Sequence, residues 1–134
     1  MKRLSGLLFL ALLLAACASG PDTRKRDEAL YLYASAIRWS DIDAALAFID
    51  PELLRTQPLS SVERARYDQV QVAGYQVKNI LASDEDELVQ VVEIRLVNRH
   101  TQVERIIMDR QRWRWDETAK TWWLMSGLPN IESR

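Results

Sequence analysis

The chain predicts an α+β domain in which N-terminal helices pack on a curved four-stranded antiparallel sheet. Three observations predict it. Apolar residues recur at helical spacing through residues 24–49. From residue 70 onward the runs are β-branched and aromatic, with side chains alternating at a period of two. The helices all come before the strands, an order that segregates them to one face of a sheet built from hairpins.

Residues 18–23, Ala-Ser-Gly-Pro-Asp-Thr, are small, polar and turn-prone, and read as a short tether. The first helix is predicted over residues 24–39, with Ala29, Leu30, Tyr33, Ala34 and Ile37 on one stripe and Asp22 or Thr23 available to cap its first free amides. Ser40 followed by Asp43 suggests a second capped start, whose apolar face is Ile42, Ala45, Leu46 and Ile49. Asp50-Pro51 sets a capping carboxylate before a proline at a first helical position, so residues 52–55 read as a brief third turn that Pro58 ends. Ser60 and Glu63 have capping-box spacing, which opens one more short helix over residues 60–67.

Val70, Val72, Tyr75 and Val77 then mark a strand, and the change of parity across Ala73-Gly74 is what a bulge at the glycine produces. After the polar turn Ser83-Asp84-Glu85-Asp86, residues 88–97 form a central strand with Val92, Ile94 and Leu96 on one face and Val89, Val91 and Val97 on the other. A turn at residues 98–101 leads into a long strand over residues 102–115. A charged turn at residues 116–120 closes a hairpin onto the last strand, residues 121–125, which Gly127-Leu128-Pro129 stops.

With 134 residues there is room for one domain. The average composition, 48% hydrophobic and 28% charged, nevertheless joins two unlike parts. Met1-Lys2-Arg3, an apolar run from Leu4 through Leu14, and then Ala15-Ala16-Cys17 follow the charged, apolar, small-residue order of a secretory signal peptide. The run is too short to span a bilayer comfortably, because a transmembrane helix needs about 20 apolar residues and polar, turn-forming residues follow at Ser19, Gly20, Pro21 and Asp22. Without residues 1–16 the chain keeps sixteen basic and nineteen acidic side chains, a formal charge of −3 that gives no general attraction to nucleic acid. Cys17 is the single cysteine, so an internal disulfide is excluded.

Leu14-Ala15-Ala16-Cys17 resembles the bacterial lipobox at all four positions. The resemblance implies cleavage between Ala16 and Cys17 and a thioether-linked lipid on Cys17, since only a thiol at the cut can carry it. A single acyl chain holds marginally, at about 0.8 kcal/mol per buried methylene, and the two or three chains implied by such processing anchor stably. In many Gram-negative lipoproteins an aspartate after the cysteine retains the product in the inner membrane. Ala18 stands there, which implies the periplasmic face of the outer membrane. The expected division is therefore a signal peptide at 1–16, a lipidated cysteine and tether at 17–23, and one α+β domain at 24–134.

The order helix, helix, short helical link and four antiparallel strands ending in an aromatic-rich hairpin is similar to the small bacterial lipoprotein branch of the nuclear-transport-factor-2-like superfamily. The similarity covers roughly residues 24–131. Its most specific piece is Trp113-Arg114-Trp115 followed, across a charged turn, by Thr121-Trp122-Trp123-Leu124. It implies a sheet folded into a cone around a pocket; members serve as enzymes, carriers or non-catalytic assembly modules, so fold alone chooses no function. Enzymatic members generally hold an aspartate–histidine pair or similar polar groups in the pocket. Here the only histidine, His100, falls in a predicted turn, where it would be solvated.

No catalytic set is predicted, since no Ser/Cys–His arrangement is apparent and lipid would consume Cys17. No cofactor is expected. Metal is not expected either: Asp41 and Asp43 suit a helix N-terminus, and Asp84-Glu85-Asp86-Glu87 lacks the spacing of a calcium loop. The candidate binding surface is the final hairpin. Arg110, Arg112 and Arg114 would project from one face of its first strand, with Gln111, Trp113 and Trp115 on the other. The arginines would either meet anionic groups or pair with Asp116, Glu117 and neighbouring strands. Trp122 and Trp123, being adjacent, must point to opposite faces, so one of them would mark a surface for an envelope protein or a homodimer. The leading expectation is a non-catalytic domain that binds a partner protein or a small apolar ligand in the implied cone, with a structural subunit of an envelope assembly as a further alternative. The competing expectation is an enzyme with a pocket lined by Tyr31, Tyr33, Tyr75 and sheet carboxylates, which a buried carboxylate of raised pKa beside a tyrosine would favour and a plugged apolar cone would count against.

Overall fold

The computed structural model of the chain describes residues 20–132. The expected signal peptide, the cut between Ala16 and Cys17, and the lipid on Cys17 lie outside the described residues. Among the described residues, no helix is long and apolar enough to cross a membrane.

Helix α1 (Thr23–Arg38) begins where an Asp22 carboxylate oxygen accepts from the Arg24 and Lys25 amides at 2.9 and 3.2 Å, so the aspartate is the cap. It ends in a Schellman turn: Ser40, at φ +57°, donates to the Ile37 carbonyl at 3.0 Å, and Asp41 donates to Ala36 at 2.9 Å. Helix α2 (Ile42–Leu46) therefore starts one residue later than expected. Asp41, not Ser40, accepts from the Ala44 amide at 3.0 Å, because Ser40 is already committed to ending α1 and its hydroxyl accepts instead from the Val72 amide at 3.3 Å. Ile49, expected on the stripe of this helix, lies beyond its end.

Helix α3 (Pro51–Thr56) has Asp50 as its cap and Pro51 in its first turn, and the Asp50 carboxylate accepts from the Leu53 amide at 3.0 Å. Helix α4 (Ser61–Asp68) carries the capping box read from the sequence. The Ser60 hydroxyl accepts from the Glu63 amide at 3.2 Å, and the Ser60 amide donates to the Glu63 carboxylate at 2.9 Å.

The sheet is antiparallel in the order β1 (Val70–Ser83), β2 (Glu87–Asn98), β3 (Glu104–Asp116) and β4 (Thr121–Leu124). β1 slips register at the expected place, between Val72 and Gly74, and again between Val77 and Asn79 and between Ile80 and Ala82. Each bulge bends the strand and curves the sheet. β2 and β3 pair without interruption, so Ile94 faces Ile107 and Val92 faces Asp109. β3 starts two residues later than expected, because Gln102 takes a left-handed turn conformation at φ +57°. β4 is held on its other side by residues 48–50: the Leu124 amide donates to the Phe48 carbonyl at 2.8 Å, and the Asp50 amide donates to the Leu124 carbonyl at 3.1 Å.

The helices supply the lid of a single core. Tyr33 and Ile37 of α1 are buried against Val92, Ile94, Ile107, Trp113 and Leu124 on the concave face of the sheet. The Tyr33 ring meets the Trp113 ring edge-on, with centroids 5.4 Å apart, the geometry aromatic quadrupoles prefer. Large aromatics bury about 150–250 Å² each, so at about 25 cal/mol per Å² these two rings dominate the gross apolar term at the centre.

Candidate functional site

The predicted site residues of β3 are placed by the parity of that strand. Ile107, Asp109, Gln111, Trp113 and Trp115 turn inward and are buried, while Ile106, Met108, Arg110, Arg112 and Arg114 turn outward and are exposed. The arginine stripe therefore exists on the convex face, where two of its members have local partners. Arg112 donates to the Glu87 carboxylate at 3.1 Å. Arg114 lies near Asp116, whose carboxyl is held below its usual range first by the Ala119 amide, then by Trp123, the Thr118 amide and the Arg114 charge. Arg110 has no hydrogen-bond or ionic partner among the described residues.

The four tryptophans of the predicted binding surface separate sharply. Trp113, Trp115 and Trp122 are core residues, covered by α1. The indole N–H of Trp122 donates to the Asp22 carbonyl at 3.0 Å, and that of Trp115 to Glu117 at 2.6 Å. Trp123, on the opposite face from Trp122, is half-buried and donates to Asp116 at 3.3 Å. As a surface, the set reduces to Trp123 and the arginines. The exposed tryptophan of the molecule is Trp39, 82% accessible at the end of α1.

Trp39 lines one of two adjoining grooves beside α1 that share Leu32 and Phe48. One, of about 310 Å³, also has Ala29, Ala47 and Trp123 with Lys25 and Glu28 at its rim; the other, of about 400 Å³, has Ala36, Trp39 and Ala44 with Ser35 and Asp41. A larger cleft of about 430 Å³ lies between α3, α4 and the segment after β4, against Leu53, Leu54, Leu59, Tyr67 and Met125. Beneath the helices, the space between Ile37, Val72, Ile94 and Ile131 holds about 20 Å³, room for one water.

Between α1 and the sheet stands a polar cluster in which Tyr33 and Tyr75, expected from the sequence, meet Asp109, which was not singled out there. The Gln111 amide nitrogen donates to the Asp109 carboxylate and to the Tyr75 hydroxyl, each at 2.9 Å, and its oxygen accepts from the Gln90 amide at 2.9 Å. Burial pushes the Asp109 carboxyl above its usual range, and the Gln111 hydrogen bond partly offsets this. Burial and then Asp109 raise Tyr33 well above the ordinary phenol value, and its hydroxyl has no hydrogen-bond partner among the described residues. Tyr75 and Tyr67 are each pushed up to about 12, chiefly by burial. Tyr67 donates to the Pro129 carbonyl at 2.8 Å and is the member of this set that reaches the larger cleft. Tyr31, expected with Tyr33 and Tyr75, is 69% exposed on α1, because residues two apart on a helix do not share a face.

Chemically the cluster is a carboxyl biased toward its neutral form among phenols that stay protonated at neutral pH, an arrangement able to hold a proton. The signal that could have found Asp109 was present: it shares inward parity with Gln111 and Trp113. His100 lies exposed in the turn between β2 and β3, where its amide donates to Asn98 at 2.9 Å. Asp41 caps α2, and Asp43 pairs with Arg64 at 2.9 Å. Among the described residues, no group of three or more His, Cys, Asp or Glu side chains is placed to hold a metal. No protein-family model matches the chain, no curated protein matches it in sequence, and no solved structure matches its fold.

Proposed function

We propose that the chain is a lipid-anchored protein of the bacterial cell envelope whose α+β domain is a non-catalytic module for binding or assembly. Leu14-Ala15-Ala16-Cys17, closing a charged and then apolar opening, supports the anchor, and Ala18 supports the periplasmic face of the outer membrane. The order of elements keeps its similarity to nuclear-transport-factor-2-like lipoproteins as a reason to expect such a module. The observation that carries the binding role is Trp39: an indole four-fifths exposed in a groove shared with Leu32 and Phe48 favours an envelope protein as occupant. The interior beneath the helices, filled by Tyr33, Trp113 and Leu124, favours contacts on the outside over a ligand within.

Intact mass and membrane fractionation of wild type and Cys17→Ala test the anchor. The expected result is a di- or triacylated wild type at the membrane and a lipid-free, released variant; a released, lipid-free wild type rejects it. Crosslinking of the membrane form, with Trp39→Ala as control, then tests the groove. Loss of the crosslinked neighbour in the variant is expected, and an unchanged pattern excludes that surface.

A second reading, an enzyme working on a small molecule, is favoured by one observation: the buried Asp109 carboxyl beside Tyr75 and the unpartnered Tyr33 hydroxyl. It requires a substrate to reach Asp109. Asp109→Asn separates the two readings, because it abolishes any turnover under the enzymatic one and leaves crosslinking intact under the other.

A further inference from the structure

The two edges of the sheet are not equivalent, and one stretch of edge is left open. β4 and Met125 occupy the outer side of β3 only from Arg112 to Asp116. Along residues 104–110 no strand lies there among the described residues; the C-terminal segment reaches this stretch through the Arg105 guanidinium, which donates to the Ile131 carbonyl. The Arg112 carbonyl accepts from the Met125 amide at 2.7 Å, so Arg112 directs its backbone groups to that side. Glu104, Ile106, Met108 and Arg110 share its parity and direct theirs the same way.

Elsewhere the edges are protected. β1 carries three register slips, which break the regular ladder a second strand would need. The outer side of β4 is taken by residues 48–50. Residues 104–110 have neither defence: their register with β2 is unbroken, and Ile106 and Met108 are half-exposed at 50% and 53%.

The segment reads Glu104-Arg105-Ile106-Ile107-Met108-Asp109-Arg110, and it is complementary to itself. Laid antiparallel on a second copy about Ile107, it sets Glu104 opposite Arg110 and Ile106 opposite Met108, in both directions. We propose that two copies of the chain pair along residues 104–110, antiparallel about a twofold axis at Ile107, so that the two sheets become one. All four outward residues then face outward residues, so each such pair exchanges ladder hydrogen bonds, and Ile107 meets its own copy in a non-bonded pair. Arg110 gains the ionic partner it lacks among the described residues of its own chain. Glu104 already accepts from Arg95 at 3.0 Å and, with its side chain 54% exposed, keeps an open side for Arg110 of the second copy. One short strand pair buries less than the roughly 1,200–2,000 Å² of a standard interface, so the dimer is weak and concentration-dependent, and is favoured where both copies are confined to one surface.

Sedimentation equilibrium of the full chain in density-matched detergent tests this. A reversible monomer–dimer equilibrium is expected. Glu104→Arg and Arg110→Glu, each placing like charges face to face, should weaken it about tenfold or more. The combined swap should return it to within a few-fold of wild type, a rescue that only this antiparallel register predicts. As a second measurement, Ile106→Cys/Met108→Cys in a Cys17→Ala background should form a disulfide-linked dimer on mild oxidation, since the bonded pair brings Cα atoms to about 5.5 Å; either single cysteine should not. A monomer at every concentration, a dimer indifferent to both charge reversals, a combined swap that fails to rescue while its circular dichroism stays native, or a double cysteine that stays monomeric would each overturn the proposal.

Discussion

Single residues of this domain carry identifiable strain. Lys120 sits in the left-handed region at φ +52° in the turn between β3 and β4, a conformation that costs a side chain about 1–2 kcal/mol and glycine nothing. Glycine loses more entropy on folding, and the exposed Lys120–Glu117 pair that would be removed contributes little. Lys120→Gly should therefore stabilise the fold by about 0.5–1 kcal/mol in urea denaturation. Asp109 is strained in a different currency. Its carboxyl has a higher pKa folded than unfolded, so between those two values the folded state binds more protons and stability falls as pH rises. The stabilising protonated form is fully present below the unfolded pKa and is lost as pH climbs through the folded one. Asp109→Asn should consequently raise the thermal midpoint at pH 7, and its advantage should shrink as the pH is lowered toward 4. A difference that grows on acidification would contradict the burial argument.

The elements were legible wherever a local rule decides them. Ser60 and Glu63 meet as a capping box because three residues separate them in any helix start, and Ser60→Ala should cost about 1 kcal/mol of stability in chemical denaturation. Asp50-Pro51 and the slip at Gly74 were equally local, as was the split of Trp122 from Trp123. The misreading at Ser40 had a physical origin: a capping-type side chain can also end the preceding helix, and only the Asp41–Ala36 hydrogen bond shows which role it takes. The site was less legible because it depends on which element covers which face. Parity placed Trp113 and Trp115 on one face of β3, but α1 decides that this face is the core, and the same cover turns Asp109 from a strand carboxylate into a buried one. Gln90 and Tyr67 join it from β2 and from α4, brought together by pairing that no local pattern contains.

At the scale of the whole molecule the tryptophans report separately on core and surface. Iodide should quench a minor, accessible part of the indole fluorescence, and Trp39→Phe should remove most of that part while leaving the thermal midpoint nearly unchanged, since Trp39 is 82% exposed and the other four indoles are at least half-buried. The entry of the chain into the fold has a further consequence. The Asp22 carbonyl accepts from Trp122 at 3.0 Å, and Lys25 donates to the Lys120 carbonyl at 2.9 Å, so both contacts fasten the start of α1 to the β3–β4 hairpin. A mechanical pull delivered through the residues ahead of Asp22 is thus transmitted to β4, the shortest strand, which four residue pairs hold to β3 while eleven join β2 to β3. Under tension the hairpin, with its bridge to Ile49, is expected to yield before the seam behind it, and the first indole expected in water is Trp122.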